Sequence, residues 1–377
     1  MPSAKPGRTP PFRADHVGSL IRPQAVLDAR DAFEAGKIDA ATLRAAEDKA
    51  IAAVVARQEA LGLEVVTDGE FRRTTYSDSF TTSGITGIKV ELTEPEGWTK
   101  SDAHGHRTAR RIPAVVERIG WAGPRNSTDF AVTKAAAKVT TKITLPGPAY
   151  IHYRAGRDNI SRAVYPDLDQ FWADLVAAYH EELRSLFNAG CRYVQIDETS
   201  LVKLGDPRAR QLLKERGDDW NDLLRVYVDA VNAVVAGAPP EMRVAIHICR
   251  SQDPSWQADV GYDPIADAIF NQLDIDTYLL EYDNPRAGTF EPLRLLPKDK
   301  GVVLGLVSSR NPRLETVDEL KRRIEEAAKF AALDHLAISP HCGFATSAAR
   351  SGEDVDALQW QKLARIVETA RAVWGGN

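Results

Sequence analysis

The chain has 377 residues, 44% apolar and 27% charged, with a formal net charge of −5. That length suits one large barrel or two ordinary domains, and that composition suits a globular protein. The mild negative charge and the lack of Lys/Arg-rich runs argue against nucleic acid and acidic membranes as partners. Nothing in the first residues resembles a signal peptide and no apolar run is long enough to span a bilayer, so a cytoplasmic location is the default. The three cysteines, Cys191, Cys249 and Cys342, are too few and too odd for a disulfide framework.

In chain order, residues 1–12 read as disordered and 13–377 as one domain. Short apolar, β-rich runs follow at 14–20, 64–70, 143–148, 193–198, 243–249, 277–282, 301–309 and 336–342. Between most of them lie amphipathic segments, at 40–62, 168–190, 220–237, 317–333 and 356–375, several of which end at glycine. Eight strand–helix alternations predict an α/β fold of the (β/α)8 TIM-barrel type. An open doubly wound sheet would show a Gly-rich phosphate loop, and no such pattern occurs. Residues 76–141, between the second and third strands, are too long for an ordinary loop. They read as an insertion near the barrel mouth, with hairpin material at 85–94 and 130–142.

In a TIM barrel the active site is built at the C-terminal ends of the strands. Gly18-Ser19, Asp68 and Glu70, Asp197-Glu198, His247 and Cys249, Glu281, Ser308 to Arg310, and His341-Cys342 all fall at such ends. His247-Ile248-Cys249 is the sharpest element, because alternate strand residues point to one side and can share one metal. Glu281 ends the next strand and Cys342 the last. Two thiolates, an imidazole and a carboxylate suit Zn²⁺. Cys191, before its strand, reads as a small buried hydrophobe. A hydrolase using Asp197 and Glu198 is disfavoured, since adjacent strand residues face opposite ways.

HVGSLIRP, VVTDGEFRR, LPGP, YVQIDE, IHIC, LLE and SPHCG together resemble the catalytic half of the cobalamin-independent methionine synthase family, over about Ala14 to Trp374. The resemblance implies a zinc enzyme that activates a small thiol for S-alkylation, with methyl transfer to homocysteine as the expected reaction. It maps the zinc ligands onto His247, Cys249, Glu281 and Cys342, and homocysteine contacts onto Ser19, Glu70 and Asp197. A hydroxyl with backbone amides suits a carboxylate, and acids suit an ammonium. Zinc keeps a bound thiol deprotonated at neutral pH.

The pattern also departs from that family. Arg310 stands where the family has a histidine thought to protonate the leaving group, which makes His341 the expected substitute. Arg154 stands where the family has a pterin-stacking tryptophan. Arg154, Arg157 and Arg310 suit an acidic tail, a corrinoid protein as donor, or a sulfonate. Epoxyalkane:coenzyme M transferase, a related zinc enzyme acting on a sulfonated thiol, is therefore the alternative. A non-catalytic, zinc-stabilised binding protein is the alternative of another class.

Overall fold

The computed structural model describes residues 10–93, 100–101, 107–108, 110–250, 260–345 and 353–375. Its centre is a parallel sheet of seven strands in the order β1 (Val65–Val66), β6 (Thr140–Pro146), β7 (Tyr193–Asp197), β8 (Arg243–Ile248), β9 (Thr277–Glu281), β10 (Gly301–Val307) and β11 (Leu336–Pro340). These strands are buried along nearly their whole length. Continuous apolar runs such as 301–307 are what a parallel sheet covered on both faces requires. Helices α1 (Gln24–Glu34) and α2 (Ala40–Leu61) precede β1, α5 (Asp169–Asn188) joins β6 to β7, α6 (Pro207–Glu215) and α7 (Trp220–Ala236) join β7 to β8, α8 (Val317–Ala327) joins β10 to β11, and α9 (Glu353–Trp374) follows β11. The sheet curls, and Ala14 forms a parallel bridge with Ile338 of β11 that continues its far edge.

The expected first strand is reduced to that bridge, flanked by Asp15 N–H to Ile338 O (3.0 Å) and Ile338 N–H to Arg13 O (2.9 Å). Gly18 turns the backbone away at φ 136°, which ends the extended run early. The expected second strand shrinks to two residues, and the Thr67 hydroxyl, donating to Gly18 O at 2.7 Å, links the two segments in place of a ladder. The predicted helices are present, and α2, α7 and α8 carry side-chain N-caps. Asp39 caps α2 through Thr42 N–H (2.8 Å), and Gly62 at φ 95° ends it. Thr316 and Glu319 form a capping box on α8, which stops at Ala327 and falls short of the predicted end at 333.

Between β1 and β6 the chain forms two antiparallel pairs, β2 (Ile88–Thr93) with β5 (Arg110–Val115) and β3 (Lys100–Ser101) with β4 (Arg107–Thr108), then α3 (Arg125–Ala136). Of the expected hairpin material at 85–94, residues 88–93 form β2, and residue 94 lies outside the described residues. That at 130–142 is not a hairpin arm: its first part lies in α3 and its last three residues begin β6. The Ala135-Ala136-Ala137 run favours helix over strand. Of the N-terminal segment expected to be disordered, residues 1–9 lie outside the described residues. Pro10, however, is buried and Phe12 packs on Tyr193 with ring centroids 6.1 Å apart.

Candidate metal centre and adjoining carboxylate pair

Strand register builds the site. Asp197 and His247 are direct partners on β7 and β8, the last pair of that ladder. Glu281 ends β9 opposite Gly305 of β10, and Gly305 in turn pairs with Ser339 of β11. A Cβ at Gly305 would meet the His341 backbone at 2.7 Å, so only glycine lets the His341-Cys342 turn close over β10. A Cβ at Gly343 would likewise overlap the Ser19 hydroxyl, and Phe344 N–H donates to Ser19 O at 2.9 Å. The loop after β11 is thereby pinned against the loop after the first segment.

His247, Cys249 and Cys342 are all buried, and their donor atoms lie within 4.8 Å of one another. The two sulfurs are 3.8 Å apart. Two Zn–S bonds of about 2.3 Å at a tetrahedral angle span about 3.8 Å, so the donor set fits one Zn²⁺. The imidazole is oriented for it. His247 Nδ1 lies 3.2 Å from Leu279 O, while Nε2 is buried with no hydrogen-bond partner. A ring nitrogen donating to a carbonyl fixes the tautomer that presents the other nitrogen to a metal. The Cys249 sulfur and burial push the Cys342 thiol well above its ordinary range. Burial acts to lower His247, but Cys249, Asp197 and Glu281 outweigh it and raise its pKa. Such a set of mutually discouraging donors is relieved by a cation.

Glu281 falls in a second group, with Asp283 and His341, whose donor atoms also lie within 4.8 Å of one another. Its carboxylate accepts Arg250 N–H at 2.7 Å, pairs with Arg250 Nη2 at 3.0 Å and lies 3.9 Å from Arg310 Nη2. His341 Nδ1 accepts Ser309 N–H at 3.0 Å, which leaves Nε2 as the N–H donor of the neutral ring. That Nε2 is buried without a partner, and burial lowers the His341 pKa.

A third cluster adjoins the first. Glu70 is the only non-glycine residue at positive φ (60°) among the described residues. Glu70 N–H donates to Asp68 Oδ1 (2.8 Å), and Glu70 O accepts Arg22 Nη2 (2.9 Å) and Arg73 N–H (3.0 Å). Strain of this kind persists where surrounding bonds hold it, and it concentrates at binding sites. Glu70 Oε1 accepts the Thr144 hydroxyl at 2.8 Å and lies 3.3 Å from Arg73, while Oε2 is buried with no partner. Asp197 faces both Glu70 and His247 electrostatically. Burial raises its pKa to about 7, with His247 opposing and Glu70 adding to the shift.

The catalytic-domain model of the cobalamin-independent synthases matches residues 12–368. The uncharacterized protein YxjH of Bacillus subtilis is 36% identical over 97% of this chain and 96% of its own. The methionine synthase of Pyrococcus abyssi is 27% identical over 95% of this chain and 91% of its own. The crystal structure of a putative vitamin-B12 independent methionine synthase from Listeria monocytogenes superposes with a TM-score of 0.75 at 31% identity, covering 97% of this chain and 99% of that one. This chain belongs to the cobalamin-independent synthase family.

Within this cobalamin-independent synthase fold, the remaining residues singled out from the sequence sort clearly. Arg154, on the short helix α4 (Ala149–Ala155), is partly exposed and lies over the Tyr150 ring at 5.4 Å; Tyr76 meets the same ring edge-on at 5.7 Å. Arg157 is not available as an anion anchor: it ties down its own loop through Ile160 O (2.7 Å), Tyr165 O and Pro166 O (3.3 Å). Glu198 accepts Ser200 N–H (2.8 Å) and Ala149 N–H (3.3 Å), a loop-holding role. Cys191 is fully buried, its thiol pushed up to about 12 by burial. Asp283, Arg250, Thr144 and Arg73 were missed. Asp283 stands two residues after Glu281, the same alternate spacing that marked His247 and Cys249, and that signal was readable. Arg250, Thr144 and Arg73 carry no such spacing. Arg310, Asp283 and Ser308 also line a cleft of about 650 Å³ beside α8.

Proposed function

We propose that this chain is a zinc-dependent S-alkyltransferase that methylates a small amino thiol, with homocysteine as acceptor. The reading is carried by one juxtaposition: the buried His247–Cys249–Cys342 donor trio stands beside the Glu70–Asp197 carboxylate pair. The names of relatives such as the Pyrococcus methionine synthase add to it. His247, Cys249 and Cys342 would hold Zn²⁺, with Glu281 as fourth donor once it exchanges its pairing with Arg250. The metal would supply a Lewis acid that keeps the acceptor sulfur deprotonated and nucleophilic at neutral pH.

The protein's own groups do the rest. Glu70 Oε2 and the Asp197 carboxylate receive the ammonium, for two buried neighbouring acids favour a cation between them. The Ser19 hydroxyl and nearby backbone amides are assigned the substrate carboxylate. Arg310 and Arg154 offer guanidinium groups to an anionic donor. His341, whose neutral ring keeps its hydrogen on Nε2, is assigned to hydrogen-bond the departing donor, and it can deliver a proton only after taking one up at Nδ1 from Ser309's side. The positioned groups hold both reactants in line. A sulfonated thiol lacking an amine would leave Glu70 Oε2 unsatisfied, which favours homocysteine over coenzyme M. The family's cobalamin-independent description lends no support to a corrinoid donor. We read residues 13–377 as one catalytic barrel with 76–141 inserted at its mouth. Ser161 N–H to Val115 O (2.9 Å) and Asn159 Nδ2 to Pro113 O, which tie β5 to the loop after α4, support that reading.

Metal analysis of the purified protein, then a mass-spectrometric screen of thiols against methyl donors, tests the proposal. One zinc per chain and methionine formation are expected. Cobalt-substituted protein whose absorption ignores every thiol would reduce the chain to a zinc-stabilised binding protein.

A further inference from the structure

Beneath the carboxylate pair, the N-terminal half of the barrel interior holds a polar chain that the mechanism above does not use. Tyr193 donates its hydroxyl to Asp15 Oδ2 at 2.9 Å. Lys142 Nζ pairs with Asp15 Oδ1 at 2.6 Å and donates to Gln195 Oε1 at 2.9 Å and to His16 O. Gln195 Nε2 donates to Val17 O and to Asp197 Oδ1, each at 2.7 Å. All five side chains are at most 6% exposed, so water competes for none of these bonds.

The chemistry of Lys142 decides how Gln195 is turned. An ammonium paired with a carboxylate only donates, so the face of the amide toward it must be the carbonyl. The NH₂ group then points the other way, at Asp197. Gln195 also lies two residues before Asp197 on β7, and alternate residues share a face. We infer that Lys142 and Gln195 are positioning residues that fix the Asp197 carboxylate for an ammonium-bearing substrate, and so set the preference for amino thiols over their deamino counterparts. This rests on the functional reading above. Lys142 acts through Gln195, and neither touches the reacting atoms.

The test compares zinc-loaded wild type with Q195E and Q195L by calorimetric titration of homocysteine and of 4-mercaptobutyrate, which lacks only the amine. Q195E keeps the shape and the Lys142 contact but removes the donor to Asp197. It carries the test should Q195L fail to fold. Expected is a fall in homocysteine affinity of at least about tenfold in the variants, the loss of one hydrogen bond to a charged group, with 4-mercaptobutyrate affinity unchanged. A purely structural role would weaken both thiols alike, and that result overturns the inference. So does an unchanged preference for homocysteine in the variants. If wild type itself shows no preference for homocysteine, the amino-thiol reading fails first, and the assignment of Gln195 falls with it.

Discussion

The two ends of the curled sheet's interior handle buried polarity differently. At the N-terminal end, Asp15, Lys142, Tyr193 and Gln195 bond to one another and to backbone carbonyls, and the ring nitrogens of His16 are the exception there, buried without partners. At the C-terminal end, Glu70 Oε2, His247 Nε2 and His341 Nε2 are buried without partners. An unsatisfied buried polar atom costs about 1–3 kcal/mol, so a fold retains several together only where something else meets them. The closed end is a bonded plug that also holds Asp197 through Gln195. The open end is a site whose missing partners are a cation, an ammonium and a donor's leaving atom.

The contrast breaks most visibly at the open end. Cys342→Ser or Cys249→Ser should reduce bound zinc from one per chain to a small fraction, measured by elemental analysis, with activity down about 1,000-fold or more. Full metal retention would mean that the trio is no metal site. At the closed end, Lys142→Met should leave Asp15 buried and unpaired and cost about 3–5 kcal/mol in urea unfolding. A small loss would show that the plug is not closed.

His16, whose carbonyl accepts Lys142, gives the closed end a pH signature. Burial, then Lys142, lowers its pKa from 6.5 to about 4. The folded state thus resists a proton that the unfolded chain accepts, so stability is full above about pH 6.5 and is lost as pH falls toward 4. Roughly 3 kcal/mol is at stake. His16→Gln should flatten that part of the stability–pH curve, and an unaltered curve would assign the acid loss to other groups. The smallest effect on stability is at Glu70. Glu70→Gln should weaken homocysteine binding while costing about 1 kcal/mol or less of ligand-free stability, since an amide oxygen keeps the Thr144 bond and only the pairing with Arg73 is weakened. A variant much less stable than that, as well as inactive, would make Glu70 structural.

The alternation of apolar runs and amphipathic segments was enough to specify an α/β fold with a parallel sheet, because burial on both faces and helix amphipathicity are local properties of composition. The His247/Cys249 spacing and the terminal placement of Glu281 and Cys342 were equally legible, since period-two geometry fixes which residues share a side. Tertiary structure decided the rest. It shortened the first two strands, because Gly18 and the two-residue β1 answer to neighbours that local sequence does not reveal. It put Glu281 in the grip of Arg250 and grouped it with Asp283 and His341. It also brought Asp15, Lys142 and Gln195, 53 to 180 positions apart, into a single bonded chain. Hydrogen bonds and ion pairs across a barrel interior depend on curvature and register between distant strands, and no local pattern encodes those distances.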